Sequence, residues 1–249
     1  LRSGDCCIVN AVDYGDLDVF VAGLMTVNAR DRRRYVFRSA ASFVRVRAGI
    51  PPRELLGRSE LTKVSGKGGL FVVGSYVPKT SVQLAVLRQQ EGVASIKVNV
   101  DELLDDSRLP ASVAAATAAV NQALETGKDA VLFTSRGLVT GTDAGSSLDI
   151  GQRVSDSLIS IVHGLGCQPR YLVAKGGVTS SDVATKGLRV RRAMVMGQVL
   201  PGVPVWQLGE ESRWPGMAYI VFPGNVGDDD ALAAIHNRLA VEQPTNATD

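Results

Sequence analysis

Two loops hold the residues best suited to chemistry in this chain. The first is Lys175-Gly176-Gly177-Val178-Thr179-Ser180-Ser181-Asp182, set between the apolar run Tyr171-Leu172-Val173-Ala174 and the helix-competent Val183-Ala184-Thr185-Lys186. A strand, paired glycines, then hydroxyls and a carboxylate at a helix start is the order that builds an anion cradle. Glycine lets the backbone come close to a ligand, and the first N–H groups of a helix have no partner inside it. The second loop, Phe222-Pro223-Gly224-Asn225-Val226-Gly227-Asp228, repeats the arrangement after Ala218-Tyr219-Ile220-Val221. Together they point to a nucleotide site contacted by Gly176, Gly177, Val178, Thr179, Gly224, Asn225 and Gly227. Each loop also has a plainer reading. Thr179 or Ser180 can simply cap a helix, and Asn225 can simply tolerate a left-handed turn.

Two further segments belong to the same question. Gly74-Ser75 follows the strand-like Leu70-Phe71-Val72-Val73, and Ser75 can donate to a phosphate or ribose oxygen or serve as a cap. Arg136 to Ser147 is rich in glycine and hydroxyls and either covers a ligand or connects two elements. Other patterns are absent. The chain has no G-x-x-x-x-G-K-[ST] loop and no G-x-G-x-x-G fingerprint. Gly66-Lys67-Gly68-Gly69 precedes its strand and reads as a turn at the wrong end of a sheet. His163 and His236 lie in helical segments without metal-ligand spacing, and the cysteines lack zinc spacing. Asp101-Glu102 and Asp105-Asp106 read as a solvated turn. Arg30-Asp31-Arg32-Arg33-Arg34 is basic but has no interleaved stacking aromatics, so it reads as exposed surface and not as a nucleic-acid site.

The elements that position these loops follow from composition and rhythm. The chain has 249 residues, 45% hydrophobic and 21% charged, with 5% aromatics and a net charge of +2. That is ample for a large core, and the alanine- and valine-rich apolar content suits helices on a parallel sheet. Three cysteines without a framework read as reduced and cytoplasmic. No run reaches membrane-spanning length and no signal-peptide pattern stands at the start, so no membrane partner is expected. Leu1-Arg2-Ser3 opens without methionine and reads as the start of a fragment. Asn246-Ala247-Thr248 matches a glycosylation sequon by chance.

Along the chain, short strands are expected at Ile8-Val9-Asn10-Ala11 and Tyr35-Val36-Phe37-Arg38. Between them Asp16 to Ala29 has helical spacing, with Leu17, Phe20, Val21, Leu24 and Met25 on one face. Pro51-Pro52 and Gly57 break regular structure, and a boundary falls near Leu61 to Gly68. Strands then alternate with helices: Leu70–Gly74, Thr80–Gln90, Ala94–Val98, Pro110–Thr126, Ala130–Thr134, Leu148–Leu165, Tyr171–Ala174, Ala218–Val221 and Asp228–Val241. This is an α/β fold with a mostly parallel sheet covered by helices on both faces, plus the remnant of a second α/β domain. The expected domains are 1–65 and 66–249. Ligands of such sheets bind beyond the carboxyl ends of the strands, where the loops after Gly74, Thr134, Ala174 and Val221 lie.

The blocks Lys175 to Asp182, Pro201-Gly202-Val203-Pro204-Val205-Trp206-Gln207-Leu208 and Phe222 to Asp228 resemble the four-carbon acid sugar kinase family. Val73-Gly74-Ser75-Tyr76-Val77-Pro78-Lys79-Thr80 and Phe37-Arg38-Ser39-Ala40-Ala41-Ser42-Phe43 are similar to two more of its blocks, in the same order. The resemblance implies ATP-dependent phosphorylation of a four-carbon sugar acid, threonate or erythronate, at its terminal hydroxyl, with Mg²⁺ bridging the phosphates. It implies that residues 1–65 are the last part of a sugar-acid-binding domain and 66–249 the nucleotide-binding domain. ATP would contact Ser75, the Gly176-Gly177-Val178-Thr179 loop and Gly224. Arg38 would approach the sugar-acid carboxylate, or make a surface ion pair.

The commonest family form has an acidic residue in place of Val178 and a Lys-Ser pair in place of Phe222-Pro223. The version here is similar to a branch also found in fusions with dehydrogenase-like and class II aldolase domains. Lys175 is the nearest replacement for the lost lysine, and Asp182 is a candidate base or a helix-dipole partner. The family's aspartate-rich N-terminal motif has no counterpart here, so the base is unassigned and the fragment alone is expected to be inactive. Homo-oligomerisation or fusion to other catalytic domains is expected. Two other readings compete: a non-catalytic nucleotide- or ligand-binding module within a larger fusion, and a nicotinamide-dependent dehydrogenase, which the missing dinucleotide fingerprint disfavours.

Overall fold

A computed structural model describes residues 4–32, 34–62, 64–135, 137 and 143–239. Two compact units divide the chain, Leu1–Arg53 and Glu54–Asp249. In the first, α1 (Tyr14–Asp31) begins at Asp13, whose carboxylate accepts from the Asp16 N–H at 3.1 Å. Its expected face is only partly covered: Val21 is buried, Leu17, Phe20 and Leu24 are half-buried, and Met25 is exposed. The α2 helix (Ala41–Arg47) brings Phe43 against Phe20 and Phe37, with ring centroids 6.3 and 5.0 Å away. The strands expected at 8–11 and 35–38 do not form. A strand needs a neighbour to exchange backbone hydrogen bonds with, and the described residues of this unit supply none.

The second unit holds α3 (Arg58–Leu61), β1 (Leu70–Val73), α4 (Pro78–Leu87), β2 (Val93–Val98), α5 (Val100–Leu104), α6 (Leu109–Glu125) and β3 (Asp129–Thr134). These are followed by α7 (Ala144–Gly164), β4 (Tyr171–Lys175) and α8 (Gly177–Asp182), which runs into a π-helical turn, Val183–Gly187. The unit ends with β5 (Ala193–Leu200), β6 (Val203–Leu208), β7 (Ala218–Phe222) and α9 (Ala231–Leu239). The seven strands form one sheet in the order β2-β3-β1-β4-β7-β6-β5. The first five are mutually parallel, and β6 runs antiparallel to both β7 and β5. The fold is therefore α/β with a mostly parallel sheet.

Helices cover both faces. Leu70, Val72, Leu132, Leu172 and Ala174 pack with α5, α6, α7 and the α8 turn. The alternate residues Phe71, Val73, Val131, Phe133 and Val173 pack with α3, α4 and α9. Period-two alternation in strands buried on both sides produces this split. Its consequence is positional. The β1 strand feeds α4 on one face, while its neighbour β4 feeds α8 on the other. The two connections leave in opposite directions, which opens a crevice at the carboxyl ends of β1 and β4.

The β5–β6 hairpin was not anticipated. Gly197 interrupts β5 at a register shift, β5 is an edge strand with Met194 and Val195 exposed, and Pro204 sits inside β6. Pro204 is tolerated because β7 pairs only with Val205 to Gln207, leaving position 204 without a β7 partner. Asp101 and Glu102 lie in the first turn of α5, not in a turn between elements, and Asp106 pairs with Arg153 of α7. α9 starts at Ala231, after a turn in which Ala231 N–H donates to Asp228 O at 3.1 Å. Most of the 136–142 loop, Arg33, residues 240–241 and the sequon at Asn246 lie outside the described residues.

The amino end of the sheet is fastened by a buried polar cluster. Asp129 accepts from Gly69 N–H at 2.6 Å, from the Tyr171 hydroxyl, and from His236 Nδ1 at 2.7 Å. His236 Nε2 lies 3.1 Å from Glu91 O, so the ring ties α9 to β3 and to the loop before β2. Burial works to raise the Asp129 pKa. The hydrogen bonds from His236, Tyr171 and Gly69 outweigh it and hold the carboxyl below its ordinary value. Gly66, Gly68 and Gly69 lie at this end, where a Cβ on any of them would overlap Arg170, Lys128 or Tyr171.

Candidate functional site

At the crevice three strand ends meet through three glycines. A Cβ on Gly74, after β1, would overlap Thr179 Oγ1. One on Gly176, after β4, would stand 3.1 Å from Ser75 Cβ, and one on Gly224, after β7, 3.3 Å from Ser75 Oγ. Gly176 also has φ +115°, a backbone setting that L side chains rarely adopt. The three loops thus close around Ser75 and Thr179 because no side chain stands between them. Ser75, Gly176, Thr179 and Gly224, singled out from the sequence on three separate segments, are neighbours.

The α8 start is built for exposure of its N–H groups. Its N-cap is Gly176, which has no side chain, and no side-chain hydrogen bond caps the helix. Ser180 does not act as the cap. Its hydroxyl lies 2.7 Å from both Ala174 O and Gly176 O and donates back to that turn. Tyr219 donates to Ser180 O at 2.7 Å, and burial pushes its phenol far up, so it remains a donor. Gly177 and Val178 are exposed at the mouth, and a Cβ on Gly177 would meet nothing within 4 Å. The first-turn amides therefore face outward without a capping side chain.

The loop from Pro223 to Asp228 is held by its carbonyls. Lys175 Nζ donates to Pro223 O at 2.8 Å and lies 3.4 Å from Val226 O. From α4, Thr80 Oγ1 donates to Gly224 O at 3.1 Å, and Lys79 Nζ to Gly227 O at 3.0 Å. Gln83 Nε2 donates to Val226 O at 3.1 Å and to Asp228 O at 2.8 Å. Thr80 also reaches Ser75 Oγ at 3.3 Å, joining the β1 and β7 loops. Sequence reasoning alone misses Thr80 and Gln83, although their i, i+3 spacing after Pro78 places them on one helical face. Their polarity read as ordinary helix surface, and only the fold turns that face onto the loop.

Lys175 is not an exposed arm. It is fully buried, its ammonium lies 3.7 Å from the Phe222 ring centroid, and burial with Lys79 nearby lowers its pKa to about 8. Lys79 is the exposed cation beside the same loop. Asp182 is the last residue of α8 and not a first-turn residue. It accepts from Ser155 of α7 at 2.9 Å and pairs with Lys186 at 3.2 Å. Asn225 is exposed on the loop, and Gly227 has φ +82°. Arg38 is exposed in the first unit, before α2.

Chemically, the crevice presents backbone N–H groups, the hydroxyls of Ser75 and Thr179, and the Lys79 cation. These residues fit a phosphate-bearing ligand, because the space at Gly177 is open, the first-turn amides are uncapped and the donors outnumber acidic groups. Among the described residues no group of three or more His, Cys, Asp or Glu side chains could hold a metal ion. Among them, also, no helix is long and apolar enough to cross a membrane.

Residues 70–232 match the family described as the nucleotide-binding C-terminal domain. No curated protein matches. Among solved structures, the chain is 24% identical to a domain of unknown function, DUF1537, from Bordetella bronchiseptica, with citrate bound in a domain-swapped dimer. That match has a TM-score of 0.52 and covers 94% of this chain and 54% of that one. A Haemophilus influenzae protein of the same DUF1537 family is 16% identical, with a TM-score of 0.59 over 93% of this chain and 53% of that one. A Salmonella typhimurium LT2 protein is 18% identical, with a TM-score of 0.63 over 90% and 50%. The chain spans about half the length of each.

Proposed function

Because the chain belongs to the family of the nucleotide-binding C-terminal domain, we propose that it is the ATP-binding part of a kinase for a four-carbon sugar acid. The acceptor is a threonate- or erythronate-type acid, phosphorylated at its terminal hydroxyl. One observation carries the reading: Gly74, Gly176 and Gly224 bring three strand-end loops together around Ser75 and Thr179 at the point where β1 and β4 send their helices to opposite faces. Nucleotides bind α/β sheets in such crevices.

In this reading the amides of Gly177, Val178 and Thr179 and those of the Gly224-Asn225-Val226-Gly227 loop hold phosphate oxygens. Ser75 donates to a phosphate or ribose oxygen. Lys79, exposed, and Lys175, buried, each bond a carbonyl of this loop and add positive charge behind its amides. Mg²⁺, when bound with the nucleotide, neutralises phosphate charge. Residues 1–65, with Arg38, contribute to the sugar-acid domain, and the hydroxyl-orienting carboxylate comes from outside the crevice residues. ATP consumption by the full-length parent with threonate or erythronate tests this. Turnover supports the kinase, and none across several four-carbon acids refutes it.

A second reading is a non-catalytic nucleotide- or ligand-binding module within a larger fusion. It is favoured by one observation: Asp182, the nearest carboxylate in the glycine motif, is committed to Ser155 and Lys186. It predicts nucleotide binding without phosphorylation in the full-length protein.

A further inference from the structure

Five carbonyls of one short loop, those of Pro223, Gly224, Val226, Gly227 and Asp228, accept hydrogen bonds from side chains of β4 and α4. No peptide bond here is cis. In a trans peptide the C=O of one residue and the N–H of the next point in opposite directions. The N–H groups of Gly224, Asn225, Gly227, Asp228 and Asp229 therefore point away from Lys175, Thr80, Lys79 and Gln83. Among the described residues none of these five amides has a backbone acceptor.

Lys175 stands apart from the other anchors. Its side chain is fully buried, and none of the salt bridges among the described residues involves it. A buried ammonium without a carboxylate is costly unless something else balances it. The groups around it are the Phe222 ring, two carbonyls, and the like charge of Lys79 from α4. The acidic residues of the segment, Asp228, Asp229 and Asp230, are exposed.

We infer that Lys175 is a positioning residue for the Pro223–Asp228 loop: it holds the loop carbonyls inward, sets the amides outward, and places behind them a positive charge that an anion bound on the far side balances. This rests on the nucleotide reading for the identity of the anion, but not for the latch itself. The consequence is proton linkage. Burial, with Lys79 nearby, lowers the Lys175 pKa to about 8, so an anion that favours its charged form raises that pKa and takes up protons on binding.

Three measurements test it on the whole chain. The first needs no ligand: ¹⁵N relaxation of the amides of residues 224–229 in wild type, Lys175→Met and Gln83→Ala. Greater loop motion in both variants is expected, and unchanged relaxation in both overturns the latch. The second follows the Lys175 side chain by NMR through pH 7–10, with and without inorganic triphosphate; a midpoint that triphosphate does not raise overturns the charge coupling. The third compares ATP affinity at pH 7.5 and 9.5. Wild type should weaken severalfold at the higher pH, Gln83→Ala should keep that dependence, and Lys175→Met should lose it. Equal ATP affinity at both pH values in wild type overturns the inference and leaves nucleotide binding intact. Absence of ATP binding with greater loop motion in the variants refutes the nucleotide reading and supports the latch.

Discussion

Gly176 and Gly177 are adjacent and make opposite demands. Gly176 sits at φ +115° with Ser75 against it, so Gly176→Ala should destabilise the fold by about 1–3 kcal/mol, read as a lower urea midpoint. Gly177 has open space where a Cβ would go, so Gly177→Ala should leave stability within about 0.5 kcal/mol of wild type. Gly177→Asp should also fold, while placing a negative charge at the mouth of the crevice. The sequence made the glycines visible, because paired glycines after a strand have few other uses. It offered Lys175 only as the nearest replacement for a lysine of the resembled family, which suggests an exposed arm. Strand alternation instead turns it under Phe222, on the side of Val173 and Tyr171. Lys79, one residue into α4, read as part of a block and not as the exposed cation it is.

At the scale of elements, the parallel core was legible because each of its strands is a short apolar run followed by a helix. The β5–β6 hairpin was not, because Gly197, Pro204 and exposed edge residues blur its alternation. The strands expected in the first unit have β-like composition, but pairing is a tertiary property that composition does not carry. The polar cluster at the amino end was also hidden, since Asp129, Tyr171 and His236 are far apart in sequence. Asp129→Asn would leave His236 and Arg170 facing a neutral amide, a change that costs about 3–5 kcal/mol for a buried pair. The Asp129 carboxyl has a folded pKa below its ordinary value of 3.8. Its contribution is therefore complete above that ordinary value and is lost as pH falls through the lower folded one. Acid unfolding of wild type should steepen below about pH 4, and Asp129→Asn should flatten that limb in a circular-dichroism titration.

For the whole molecule, both hydrophobic cores lie within the second unit, beginning at Leu56. A chain cut to residues 54–249 should unfold in a single cooperative transition close to that of the full chain and keep its nucleotide affinity. Loss of the transition would mean that residues 1–53 are needed for the sheet to fold. The proposed nucleotide site is the crevice at the ends of β1, β4 and β7, where backbone amides would hold the phosphates. Calorimetric titration of wild type and Gly177→Asp with ATP–Mg²⁺ tests it most directly. Wild type should bind saturably, and the variant, with unchanged thermal stability, should lose at least tenfold in affinity, about 1.4 kcal/mol. Binding of equal strength by a folded Gly177→Asp would contradict it and place the nucleotide elsewhere.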